Sequence, residues 1–312
     1  MKIAITEVGL RDGLQNEAVI LPTATKLDLI GKLFACGIRS IDAAAFVSPR
    51  AVPQMADAAD VIRGIQAPPG ARVLALTPNI KGVLAAAEAG ADEAALFLSA
   101  SESHNAKNLN RSIAGSLEGL ANIAEAAASA GIALKGSIAV AFGCPFEGDV
   151  AVSRVVEIAR AYAGAGIHRL MLGDTTGMAT PAIVRQVCGA ILEALPDTEI
   201  TLHFHNSRGL ALVNVAAALD MGITRYESAL GGTGGCPFAP GAMGNVCTED
   251  LVHFLHESGH ETGIDLDALI EVARTFGVLL GHPLPGQVMR TGPRLRLHPL
   301  DSVRTATARE CV

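Results

Sequence analysis

At 312 residues, half of them hydrophobic and 18% charged, the chain is long enough for one large domain and too apolar to stay disordered. A net charge of −7 gives no general attraction to nucleic acid, and no unbroken apolar stretch reaches the length of a membrane span. Six scattered cysteines without a CxxC read as reduced thiols, and "MKIAITEVGLRDG" enters a strand pattern directly, so a cytoplasmic protein without a secretory leader is expected. In chain order, alternation near Ile3–Val8 predicts a strand and Thr23–Cys36 a helix; the pairs that follow are Ile38–Phe46 with Pro53–Ile65, and Arg72–Thr77 with Ile80–Ala89. The next are Glu93–Ser99 with Ile113–Ala130, Leu134–Phe142 with Asp149–Gly164, and Arg169–Asp174 with Pro181–Leu195. Ile200–His205 with Leu210–Met221 and Arg225–Ala229 with Thr248–Ser258 complete eight strand–helix units, and another helix is expected near Leu266–Leu280.

Eight such units without a composition break predict an α/β fold, a (β/α)8 TIM barrel with a C-terminal helical extension. One domain should span 1–312, with its tail from about 262 to 312. A doubly wound open sheet is the alternative, but no GxGxxG follows the first strand. In a barrel, chemistry belongs at the C-terminal strand ends, and polar, glycine-punctuated segments do follow seven of the eight strands. They include "EVGLRDGLQNE", "DAAAFVSPR", "GDTTG", "HFHNSRG" and "GGTGGCPFAPGAMGN"; "TPN" after strand 3 is the quiet end.

His203 and His205 stand two apart on strand 7, so both rings face one side of the pleat. Barrel closure brings strand 1 beside strand 8 and near strand 7, so the Asp12 carboxylate can join the two histidines around one cation. One carboxylate, two imidazoles and further oxygens suit Mg²⁺ or Mn²⁺; the same three ligands also suit Fe(II) or Zn²⁺. Arg11, next to Asp12, can hold a carbonyl oxygen as negative charge develops on it, and Gln15 completes the polar turn. The fifteen-residue loop after strand 8 holds six glycines and Cys236, a thiol placed over the barrel mouth.

"EVGLRDGLQNE", "LFLSASESHNAKNLN", "GCPFEG", "LGDTTG", "HFHN" and "GGCPFAPGAMGNVCTEDLV" resemble, in order from Ile3 to about Leu251, the 3-hydroxy-3-methylglutaryl-CoA lyase family of metal-dependent barrel lyases. The resemblance implies Mg²⁺ or Mn²⁺ held by Asp12, His203, His205 and Asn245. It implies that Arg11 stabilises the enolate oxygen, that Cys236 is the acid, and that Asp174 lies beside the substrate hydroxyl. It also makes His203 or Asp174 the candidate base and matches Glu7 to the glutamate opening the strand 1 motif. The implied reaction is cleavage of a 3-hydroxyacyl-CoA, foremost 3-hydroxy-3-methylglutaryl-CoA, to acetyl-CoA and acetoacetate, in a homo-oligomer, a dimer being favoured.

Departures from the family pattern gather where the acyl group should lie. Asp42 and Ala45 stand for the usual Glu and Ser, Asn206 to Gly209 replace "D-T-Y-G", Thr233 replaces a leucine, and Arg50 and Ala51 replace a Lys-Trp pair. Asp42 and Arg208 are therefore expected to touch substrate, with Arg208 adding a second cation, and Gln15 of the strand 1 turn is expected to touch it as well. Shortening both strand 2 residues is expected to widen the acyl pocket. A lyase for another 3-hydroxyacyl-CoA and a Claisen-type acetyl-CoA condensing enzyme are the alternatives. An inactive metal-binding scaffold is disfavoured by the complete ligand set, and an Fe(II) oxygenase by the strand–helix alternation.

Overall fold

The structure, a computed structural model, describes residues 1–235 and 244–299. Eight parallel strands close a barrel in sequence order: β1 Ala4–Glu7, β2 Ser40–Ala45, β3 Arg72–Leu76, β4 Glu93–Ser99, β5 Ala133–Ala139, β6 Arg169–Asp174, β7 Glu199–Phe204 and β8 Arg225–Ser228. Closure comes from β1 lying along β8, with Ala4 opposite Arg225 and Glu7 opposite Ser228. Between them run α1 Thr23–Ala35, α2 Ala58–Gly64, α3 Ile80–Ala89, α4 Glu102–Leu109, α5 Ile113–Leu117, α6 Leu120–Ala130, α7 Val152–Gly164, α8 Pro181–Ala194 and α9 Ala211–Leu219. α10 Thr248–Glu257, α11 Leu266–Leu280 and the short α12 Val288–Thr291 complete the described helices. The expected barrel and its helical extension are both present, and residues 300–312 of the expected tail lie outside the described residues.

The outward strand residues and one face of each helix form a single apolar layer that includes Ile41, Leu170, Leu202, Val187, Val215 and Phe276, all at most 1% exposed. Side-chain oxygens of Asn79, Ser101, Ser112, Thr180 and Asp265 accept the first-turn N–H groups of α3, α4, α5, α8 and α11, which fixes where those helices begin. Two segments differ from expectation. The single helix read over Ile113–Ala130 is α5 and α6, parted at Glu118 and Gly119. The segment after β4, over which no helix was expected, contains α4, whose polar sequence ESHNAKNL buries only His104 and Asn105 and so carries no apolar stripe.

Candidate functional site

β1 ends on Glu7, a buried carboxylate that accepts the N–H of Gly9 (2.7 Å), the N–H of Leu230 (2.7 Å) and the hydroxyl of Thr248 (2.6 Å). Burial pushes its pKa up to about 7 against these bonds. Beyond it the chain makes a widened turn of the π type, Gly9–Gly13, in which the N–H groups of Arg11, Asp12 and Gly13 all converge on Val8 O at 3.1, 2.8 and 3.2 Å. Such turns gather at functional sites because they re-aim consecutive side chains. Here the turn carries Arg11 and Asp12 to the barrel mouth.

Arg11 is 7% exposed and held on two edges: Nε donates to Asp42 Oδ2 (2.7 Å) and Nη1 to Asp12 Oδ1 (2.8 Å). Neither carboxylate engages Nη2. Gln15 Nε2 donates to the same Asp12 Oδ1 (3.0 Å). Burial alone would raise the Asp12 pKa, but Arg11, His203 and His205 together hold it below the ordinary carboxylate value.

His203, at the end of β7, lies in register with Glu227 on β8, and its Nδ1 is 2.9 Å from Glu227 Oε2. His205 pairs with Asn245 as an isolated bridge, which draws the chain after the glycine-rich segment back onto β7. One ligand atom each from Asp12, His203 and His205 falls within 4.8 Å of the others, the geometry of a metal site. The fit to a divalent cation is supported by Asn245: its Nδ2 donates to Asp12 Oδ2 (2.7 Å) and Thr233 O (2.9 Å), while Oδ1 is buried with no hydrogen-bond partner among the described residues. A carboxylate and two imidazoles, with that amide carbonyl as a candidate fourth donor, leave the remaining positions of a six-coordinate divalent cation to further oxygens. Gly234 closes against them at φ +96°, where a Cβ would stand 2.4 Å from Asn245 Nδ2 and 3.0 Å from Asp12 Oδ2.

These groups open into a cavity of about 480 Å³ lined by Arg11, Asp12, Gln15, His203 and His205, with Phe97, Ser137, Met171 and Gly234 among its other walls. His104 and Asn108 of α4, absent from the expected site, also line it. Asp42 reaches it only through Arg11. Asp174 does not line the cavity: Oδ1 accepts the N–H groups of Met178 (2.7 Å) and Ala179 (2.9 Å), and Oδ2 is buried with no partner among the described residues. Burial lifts the Asp174 pKa to about 6 despite those bonds and the charges of His203 and Arg208. Arg208 Nη1 donates to the carbonyls of Thr176 (2.9 Å) and Gly177 (2.8 Å), away from the cavity lining. Ala45 lines a separate cavity on the helical side of the barrel with Phe46, Met55, Ala58 and Pro78. The expected acid, Cys236, lies outside the described residues.

Two buried charges escaped the sequence reading. Lys135 on β5, 5% exposed, sets Nζ 2.5 Å from Oε1 of Glu227, the same carboxylate that meets His203. Burial would raise the Glu227 pKa, but Lys135 and His203 pull it below its ordinary value. A lysine in the apolar run "ALKGSIA" was the available signal, since a buried ammonium demands a partner.

A family model described as HMGL-like matches residues 2–276. Hydroxymethylglutaryl-CoA lyase YngG of Bacillus subtilis is 42% identical over 92% of this chain and 96% of its own length. The mitochondrial hydroxymethylglutaryl-CoA lyase of Bos taurus is 44% identical over 86% of this chain and 83% of its own. Among solved structures, an HMG-CoA lyase from Acinetobacter baumannii in complex with coenzyme A and 3-methylmalate superposes with a TM-score of 0.92 at 45% identity, covering 96% of this chain and 98% of that one.

Proposed function

The chain belongs to the HMGL-like family, and from that premise we propose that it is a divalent-metal-dependent carbon–carbon lyase that cleaves 3-hydroxy-3-methylglutaryl-CoA to acetyl-CoA and acetoacetate. The observation that carries this reading is the gathering of Asp12, His203 and His205 beside the Arg11 guanidinium in one cavity. Asp12, His203, His205 and Asn245 are the proposed holders of Mg²⁺ or Mn²⁺, which when bound polarises the substrate's hydroxyl and carboxylate oxygens. The hydroxyl proton passes to a base, for which Asp174 is proposed; since its carboxylate stands behind the cavity lining, the proton reaches it by way of a bridging group in the cavity and not by direct contact with substrate. The oxygen's electron pair forms the new ketone, the C2–C3 bond breaks, and its electrons move onto the thioester. Arg11 is positioned to stabilise that developing oxyanion through Nη2, which its two carboxylates leave unengaged. Cys236 is the proposed source of the proton that C2 then takes, which completes acetyl-CoA. Gln15 is proposed to steady Asp12 and to contact substrate, Asp42 to aim Arg11, and Arg208 to act on substrate only from outside the cavity lining.

A cytoplasmic setting is proposed; the four described cysteines are free, and among the described residues no helix is long and apolar enough to cross a membrane. A single lyase domain that self-associates as a dimer is proposed as well, with Val278, Leu295 and Leu297, 69–90% exposed, as apolar surface available to a second copy. The test is turnover of 3-hydroxy-3-methylglutaryl-CoA with Mg²⁺ or Mn²⁺, followed by acetyl-CoA release. Failure of the parent protein to release acetyl-CoA while binding the metal would refute the lyase assignment for this substrate, and activity on another 3-hydroxyacyl-CoA would replace the acyl group only.

A further inference from the structure

Lys135 and Glu227 face each other across the barrel interior, on strands three apart, beneath the candidate metal site. A lysine ammonium only donates, so Glu227 Oε1, 2.5 Å from Nζ, is committed as an acceptor. The other oxygen of the same carboxylate is 2.9 Å from His203 Nδ1. With an acceptor fixed at that point, the imidazole proton belongs on Nδ1, and the lone pair of Nε2 is left for a ligand. A buried ion pair gives little net stability over an apolar pair of the same shape, so stability alone is a weak reason for this one.

We infer that Lys135 and Glu227 are positioning residues that fix the tautomer and ring orientation of His203 so that Nε2 meets the metal; this rests on the metal reading above. Carboxylates behind ligand histidines act in this way in metal sites generally. Lys135 has the less obvious share: by holding Oε1 it orients the carboxylate so that Oε2 meets Nδ1, and because both oxygens of a carboxylate accept, its choice of end becomes decisive only when residue 227 is an amide.

The pair makes a sharp prediction for Glu227→Gln. Lys135 draws the amide oxygen to itself, the amide NH₂ then faces His203 Nδ1, and the imidazole proton is forced onto Nε2, the atom the metal needs. Mn²⁺ affinity, measured by calorimetry, is expected to fall roughly 10–100-fold, the usual range for outer partners of a ligand. In Lys135→Met with Glu227→Gln the amide is free to turn its oxygen toward Nδ1, and affinity is expected to recover about tenfold over the single variant. A role in packing alone predicts the reverse, because the double variant loses more native contacts.

The metal-free parent gives a readout that needs no variant. Long-range proton–nitrogen spectra, at a pH high enough to keep the ring neutral, should show His203 protonated at Nδ1 and bare at Nε2. That result stands even if Glu227→Gln does not fold. A proton on Nε2 in the parent, parental Mn²⁺ affinity in Glu227→Gln, or no recovery in the double variant would each overturn the inference. His205→Ala separates it from the reading beneath: undiminished Mn²⁺ binding there removes the metal site itself, whereas loss there with retention in Glu227→Gln removes only the positioning role.

Discussion

Arg11 is clamped between Asp42 and Asp12, so its guanidinium is already ordered before any substrate arrives. Preorganised charge acts where charge develops, which makes kcat the parameter it should control. Arg11→Met is expected to lower kcat about 10³-fold or more with a much smaller change in the binding of a CoA ester, and Arg11→Lys to recover little, since an ammonium cannot hold both carboxylates in that planar geometry. A normal kcat with a raised KM would make Arg11 a binding group. Gly234 makes a second case at this scale. An alanine there carries φ +96° and a Cβ 2.4 Å from Asn245 Nδ2, so Gly234→Ala should cost roughly 1–3 kcal/mol in thermal or denaturant unfolding and weaken Mn²⁺ binding. Unchanged metal affinity would show that Asn245 moves aside freely. The candidate ligands Asp12, His203 and His205 were legible because the two-residue spacing and the strand-end positions are written locally, whereas Asn245 was reached only through the family resemblance. Lys135 and Glu227 were not: each sits inside a strand, and their meeting depends on how far β5 lies from β8 around a closed barrel. Ala45 was misread for the same reason. Its position after strand 2 suggested the acyl pocket, but its side chain faces the helices, so Ala45→Ser should leave kcat/KM within about twofold while costing the burial of a hydroxyl.

At the scale of elements, the glycine-rich segment after β8 is anchored at its start by two carboxyls from other parts of the chain. Glu7 of β1 takes the N–H of Leu230; Glu249 of α10 takes the N–H of Gly231 with both oxygens, at 3.1 Å, and also accepts from the Cys247 thiol. Burial pushes Glu7 up to about 7 and Glu249 up to about 8, from 4.5. The folded protein therefore keeps these protons at pH values where the unfolded chain has lost them. Between about pH 4.5 and 8 the unfolded state binds fewer protons, so stability falls as pH rises through that window and levels off above it. Glu249→Gln mimics the protonated acid and should remove its part of the decline, roughly 2–5 kcal/mol across the window, visible as a flatter plot of thermal midpoint against pH. A decline as steep as in the parent would mean that Glu249 is ionised in the fold. Elements with an apolar period were the legible ones; α3 and α11 have the predicted bounds. α4 was not, because it is polar almost all round and is held by the Ser101 cap and the buried His104 and Asn105.

For the whole molecule, the candidate ligands come from far apart in the chain: Asp12 follows β1, the histidines end β7, and Asn245 precedes α10. The sequence rhythm could announce eight strands and helices, but only barrel closure, with β1 laid along β8, brings these three regions to one point. An ion bound there ties the first strand to the last two, and its binding energy is available only to the folded state, because the unfolded chain scatters the ligands. At a free Mn²⁺ concentration 100 times Kd the linkage is worth about 2.7 kcal/mol. With an unfolding entropy of about 2.1 cal/mol/K per residue, a chain of 312 residues should gain roughly 4 °C in thermal midpoint. The gain should grow with the logarithm of the Mn²⁺ concentration, disappear with excess chelator, and be absent in His205→Ala, whose midpoint without metal should stay close to that of the metal-free parent. If Mn²⁺ raises the midpoint of His205→Ala as much as that of the parent, the stabilising ion sits elsewhere, and Asp12, His203, His205 and Asn245 are not its ligands.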